Sequence, residues 1–290
     1  MILPPEVLKK VKLLEIHTRK LVNNLFAGEY HTAFKGQGMT FADFREYVPG
    51  DDIRTISWPL TARTGKTFIK KFEEERELTL ILAVDISGST DFGSGVLFKG
   101  EVMTHVAALL ALSAVKNNDQ VGLLLFSDQI EHFVPPKKGR GHVHRLLRDL
   151  YYLKPRSSRT KIDVVTQYLR GVLKKKASIF ILSDFMDEGY ERSLKFLGRK
   201  HDVVACVVKD PMETEIFNLG LVACSDPESG EVLSFDTSSP EFRKEFQIES
   251  KKQNERRDRI LKMAQVDRVD ISNSENYANP LIAYFRQRRK

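Results

Sequence analysis

Cysteine is almost absent from this chain: Cys206 and Cys224 are the two among 290 residues. Each lies in an apolar run without a Cys-x-x-Cys or Cys/His neighbour at ligand spacing, which argues against a disulfide scaffold or structural zinc and for a reducing compartment. Long apolar runs are missing too. A membrane-spanning helix needs about 20 consecutive apolar residues, and Leu78 to Ile86 and Val121 to Phe126 reach less than half of that. The start of the chain carries Pro4, Pro5, Lys9, Lys10 and Lys12 where a secretory signal would be apolar. No internal repeat or low-complexity segment occurs. A cytoplasmic protein is expected, and 41% apolar residues suffice for a real core.

The formal charge is +7. Residues 1–77 contribute +2, residues 78–236 nothing and residues 237–290 +5, so the excess gathers near Arg286, Arg288, Arg289 and Lys290. A neutral centre gives little support to a nucleic-acid-binding core. A basic tail that holds the protein at anionic lipid or nucleic acid, peripheral to a membrane, stands as one alternative.

Three regions follow from the patterning. In residues 1–77, Val7, Val11, Leu14, Leu21, Val22 and Leu25 share one face of an amphipathic helix over 5–26. Gly28 to Gly65 reads as an irregular segment with a turn at Pro49-Gly50 and with Asp51 or Asp52 capping a short helical piece. In residues 78–236, apolar strands (78–84, 121–126, 178–182, 203–208) alternate with helices (100–116, 143–153, 162–175, 191–199). This is the pattern of a mostly parallel sheet covered on both faces, a doubly wound α/β domain. Residues 221–224 and 232–235 read as an inserted β-hairpin. Residues 237–290 form a C-terminal extension: a charged helix over 240–265, a short strand near 269–271 and a last helix from about Pro280.

In an open α/β sheet, ligands bind beyond the carboxyl ends of the strands. Asp85, Ser87 and Ser89 follow the first core strand, Thr160 ends a loop before a helix, and Asp184 follows the strand over 178–182. Two serines at i and i+2 in a loop curling over a strand end can face one ion, and hydroxyl and carboxylate oxygens suit a hard divalent cation such as Mg²⁺. Asp85 and Asp184 supply negative charge, partly through water. With few charged ligands on it, the ion would stay electrophilic and could accept a partner's carboxylate as its last ligand. The bland alternative is a polar loop whose serines cap the following helix.

These residues resemble the metal-ion-dependent adhesion site of von Willebrand factor A domains. That resemblance implies Mg²⁺ or Mn²⁺ on Ser87, Ser89 and Thr160, with Asp85 and Asp184 acting largely from behind them. The stretch from Gly36 to Trp58, including Phe41, Arg45, Tyr47, Pro49 and Asp51, and then Thr61 to Arg63, is similar to the signature of the family called domain of unknown function 58. The similarity runs on through Asp226 to Glu231 and to Phe285-Arg286. It implies a non-catalytic interaction module, an adaptor or co-chaperone of a MoxR-type AAA+ ATPase acting on a client protein. Two departures stand out: many members carry N-terminal membrane helices that this chain lacks, and Thr90 follows Ser89 where an apolar residue is common.

Competing motifs are weaker. Gly65-Lys66-Thr67 looks like the end of a phosphate loop, but position 60 is Leu and a strand, not a helix, follows. An aspartyl phosphatase would need a second acid at position 87, where Ser87 stands, so metal-dependent phosphoryl transfer is only an alternative. No Gly-x-Ser-x-Gly occurs, and His142 and His144 read as a solvated helix entry. Asp51, Asp52, Arg54 and Arg63 either face a partner or, together with a buried Trp58, dock the N-terminal segment by ion pairs.

Overall fold

The computed structural model describes Thr18 and residues 38–288, apart from 76–77, 96, 226–230 and 274–275. The helix expected over 5–26 therefore lies outside the described residues, Thr18 excepted. The chain divides into two compact units, one over Phe34–Leu78 and one that contains Thr79–Lys290.

In the smaller unit, strand β1 (Gly38–Glu46) pairs antiparallel with β2 (Phe68–Glu75). The irregular segment expected here thus contains a regular strand. A register shift between Phe41 and Asp43 breaks the two-residue alternation that would have revealed it. Between the strands, Asp52 caps a 3₁₀ turn (Ile53–Thr55) by accepting from the Arg54 amide at 3.0 Å. Helix α1 (Trp58–Thr64) then closes on Gly65, whose φ of 71° is cheap only for glycine. Here a glycine ends a helix and a strand follows, the reverse of a phosphate loop. Trp58, expected to be buried, is 67% exposed, and Ser57 and Ile69 are buried instead.

The larger unit is built on a six-stranded sheet in the order β10-β7-β6-β3-β4-β5. Its strands are β3 (Thr79–Asp85), β4 (Gln120–Phe126), β5 (Ile130–Lys137), β6 (Ser178–Ser183), β7 (Asp202–Lys209) and β10 (Asp267–Ser272). All neighbours are parallel except β5, which runs antiparallel along β4. Sequence reading missed β5 because Pro135 and Pro136 argue against a strand; they are tolerated because β5 is an edge. The two-stranded hairpin β8 (Leu221–Ser225) and β9 (Val232–Asp236) stands where the sequence placed one.

Helices cover both faces, as the strands' lack of polar positions requires. On one face Ile81, Ala83, Ile179 and Ile181 pack with Val165 and Leu169 of α4 (Ile162–Val172), Leu194 and Leu197 of α5 (Glu191–Lys200), and Ile260 and Leu261 of α6 (Pro240–Met263). The alternate residues Leu80, Leu82 and Val84 point the other way. On that side lie α2 (Lys99–Lys116), α3 (Arg140–Tyr152) and α7 (Ala278–Arg288), with Phe285 of α7 set 6.2 Å from Phe180 of β6, ring centre to ring centre. Residues 237–290 belong to this unit, since β10 completes the sheet. Helix α5 approaches residue 264 so closely that a Cβ on Gly198 would lie 2.7 Å from the Ala264 carbonyl oxygen. Helices α3, α4 and α6 differ from expectation by a few residues at their ends, where side-chain periodicity carries least information. No helix among the described residues is long and apolar enough to cross a membrane.

Candidate functional site

The central strand β3 is apolar and buried from Leu80 onward, and it delivers its last residue, Asp85, fully buried at the carboxyl edge of the sheet. Both carboxylate oxygens are engaged there. Oδ1 accepts from the Ser87 amide at 3.0 Å and Oδ2 from the Ser183 hydroxyl, at the end of neighbouring β6, at 2.7 Å. Burial, with the Asp184 carboxylate adding to it, pushes the Asp85 carboxyl up to about 7.

The chain then turns through a short 3₁₀ segment (Gly88–Asp91). The Ser87 carbonyl accepts from the Thr90 hydroxyl at 2.7 Å, so Thr90 stiffens the turn without entering the hydroxyl cluster. The Gly88 amide bonds the Ser158 carbonyl at 2.8 Å, which ties this turn to the loop carrying Thr160. The result is a chain of three hydroxyls from two loops: Ser89 Oγ lies 3.1 Å from Ser87 Oγ, which accepts from Thr160 Oγ1 at 2.7 Å. Ser87 is itself buried.

Asp184 completes the group from the end of β6. Its Oδ1 accepts from the Met186 amide at 3.2 Å; the residue between them, Phe185, sits in the left-handed region at φ 58°, a costly conformation for a side chain of this size. Its Oδ2 accepts from Lys99 Nζ at 2.9 Å. Lys99, at the first turn of α2, is 2% exposed and also bonds Glu213. Burial alone would lower the Lys99 ammonium, but Asp184 and Glu213 outweigh it and hold it above its ordinary value. Sequence reading missed Lys99 and Glu213; a lysine opening an otherwise apolar helix was the available signal. Ser89, Thr160 and Asp184 line an open cavity of about 350 Å³ with Met186, Asp187 and Glu188.

The five residues singled out from sequence, Asp85, Ser87, Ser89, Thr160 and Asp184, are thus brought together by two strand ends, those of β3 and β6, and one loop. They fit a hard cation by donor chemistry, because the converging atoms are hydroxyl oxygens backed by carboxylates. Among the described residues no group of three or more His, Cys, Asp or Glu side chains forms a metal-holding cluster, so a site here would be of the hydroxyl kind. The buried Asp85, Asp184 and Lys99, with the partly exposed Glu213, leave an excess of negative charge when the acids are ionised.

Of the other candidates, Asp51, Asp52, His142 and Arg288 make contacts within the fold. Asp51 accepts from the Arg45 guanidinium at 2.7 Å and from the Val48 amide at 2.9 Å, and Asp52 is the cap described above, while Arg54 and Arg63 are exposed. All four lie in the smaller unit. His142 bonds the Val121 carbonyl oxygen of β4 at 2.8 Å. Arg288, one of the four C-terminal bases, pairs with Asp202 and, at 3.1 Å, with Asp267, so it is committed to the fold.

This strand order, with a hydroxyl cluster above the end of the first core strand, defines a von Willebrand factor A-like α/β domain. The chain belongs to the family described as "Protein of unknown function DUF58", whose model matches residues 43–256. It is similar to the uncharacterized protein Rv1480 of Mycobacterium tuberculosis, at 29% identity over 245 residues that cover 83% of this chain and 77% of that one. Among solved structures it is similar to the conserved hypothetical protein BatB of Bacteroides thetaiotaomicron, with a TM-score of 0.50 and 16% identity over 73% of this chain and 98% of that one. The SpRpn10 VWA domain also matches, with a TM-score of 0.38 and 13% identity over 72% of this chain and 95% of that one.

Proposed function

We propose that this protein is a non-catalytic interaction module that holds Mg²⁺ or Mn²⁺ on Ser87, Ser89 and Thr160 and presents it to an acidic side chain of a partner. The observation that carries this reading is the convergence of three hydroxyls from two separate loops, at 2.7 and 3.1 Å from one another, above two buried carboxylates. A bound ion would supply a Lewis-acidic position for a carboxylate oxygen. The chain's own residues do the positioning. Asp85 fixes the Ser87 turn through its amide, Ser183 orients Asp85, and the Gly88–Ser158 bond keeps the two hydroxyl loops in register.

The burial of Asp85 also speaks against phosphoryl transfer. A carboxylate that is fully buried and bonded through both oxygens is not placed to attack a substrate. The partner we propose, following the family resemblance, is a MoxR-type AAA+ ATPase, with the module acting as adaptor toward a client. The purified chain would be tested for retention of the purified ATPase in Mg²⁺ and in EDTA. Retention is expected in Mg²⁺ only, and to be lost in Ser87→Ala/Ser89→Ala. Equal retention in all conditions would overturn the cation-dependent mechanism.

A further inference from the structure

Beside the hydroxyl site a smaller cavity of about 60 Å³ opens between the loop after β6 and helix α6. Its polar lining is rich in donors: the Tyr190 phenol, the Arg256 and Arg257 guanidinium groups and the Gln253 amide, with Asp187 and Glu188 at the loop side. Tyr190 is fully buried and its hydroxyl has no hydrogen-bond partner. Buried hydroxyls are nearly always paired, so an orphan one beside a cavity points to something that fills it. Edge-on packing against Phe185, at 6.1 Å between ring centres, holds the ring in place.

Arg257 is 3% exposed and spends Nε and Nη2 on a single oxygen of Asp258, at 3.3 and 3.0 Å. Arg256 is bonded to Glu188 across the cavity's rim and lies 3.9 Å from Glu191. The Asp187 carboxylate is already occupied, accepting from the Ile162 amide at 2.8 Å. Of the acidic groups lining the cavity, Glu188 alone is held only by an exposed ion pair, the kind that contributes little and exchanges readily.

We infer that this cavity binds one small oxyanion, a carboxylate or a phosphate, which accepts from the Tyr190 hydroxyl and the Arg257 guanidinium and displaces Glu188 from Arg256. The volume is that of about two water molecules, which admits such a group and excludes a nucleotide. The site shares Met186, Asp187 and Glu188 with the larger cavity but uses none of the three hydroxyls, so its test is run in EDTA.

The full chain is titrated calorimetrically with sodium phosphate and, separately, with sodium acetate at matched ionic strength, with sodium chloride as control. Saturable one-site binding of at least one oxyanion is expected. Tyr190→Phe, which removes an unpaired hydroxyl and keeps the ring, should weaken it about tenfold, the loss of one hydrogen bond to a charged group. Glu188→Gln should tighten it several-fold by removing the competitor. Tighter phosphate binding identifies a phosphate site, and tighter or equal acetate binding a carboxylate site. No saturation beyond chloride, or wild-type affinity in both variants, overturns the inference.

Discussion

Replacing Lys99 by methionine keeps the length of the side chain and removes its charge, leaving Asp184 and Glu213 without their shared cation. At the 2.9 Å separation from Asp184, the Coulomb attraction is about 6 kcal/mol at an effective dielectric constant of about 20, much of it cancelled by the desolvation of both groups. What the variant loses is the neutralisation of a charge already buried, which costs about 3–5 kcal/mol. Lys99→Met should therefore melt on the order of 10 °C below the wild type in EDTA. If a divalent cation sits on the adjacent hydroxyls, Mg²⁺ should raise the melting temperature of Lys99→Met by more than that of the wild type, because the ion then relieves two uncompensated carboxylates as well as binding its ligands. Differential scanning calorimetry in EDTA and across a Mg²⁺ series measures both effects. Wild-type melting in EDTA would refute the charge argument, and equal Mg²⁺ increments in the two proteins would refute the coupling of Lys99 to the cation.

His201, buried at the end of α5, accepts from the Ala177 amide at 3.3 Å, and burial with Lys200 nearby pushes its imidazole down to about 4. The folded state then resists protonation that the unfolded chain accepts near 6.5, so stability holds above that pH and falls as pH drops toward 4, by at most about 3 kcal/mol. Urea midpoints of His201→Asn should be flatter than those of the wild type over that window, and an unchanged slope would assign the acid loss elsewhere. Gly198→Ala should lower stability by about 1–3 kcal/mol, because a Cβ there would lie 2.7 Å from a backbone oxygen that cannot swing away; an unchanged urea midpoint would show that α5 is free to shift.

The sheet and its helices were legible in the sequence because strands buried on both faces must be apolar throughout, as Leu80 to Val84 and Ile179 to Leu182 are, and because amphipathic helices must alternate with them. Asp85, Ser87, Ser89 and Asp184 were legible for a related reason, since polar groups at the end of a buried strand have few structural excuses, whereas Thr160 stood in a polar loop before a helix. What escaped was non-local or locally contradictory. The two prolines of β5 are compatible with a strand only at an edge, and edge position is a property of the assembled sheet. The bulge in β1 scrambles its alternation over a single residue. Lys99 becomes part of the site only when α2 is laid against the ends of β6 and β7, so that residues 99, 184 and 213 meet across more than a hundred positions. Tyr190 and Arg257 likewise become neighbours only through the packing of α6 on the loop after β6.

The central claim concerns the hydroxyl cluster, and manganese reports on it directly. Electron paramagnetic resonance of free Mn²⁺, titrated with the purified chain, should show one saturable site per molecule that Mg²⁺ displaces, with affinity at least tenfold weaker in Ser87→Ala/Thr160→Ala, the equivalent of about 1.4 kcal/mol or more, while circular dichroism shows that variant still folded. Saturable binding that persists unchanged in the folded variant, or no saturable binding by the wild type, would contradict it.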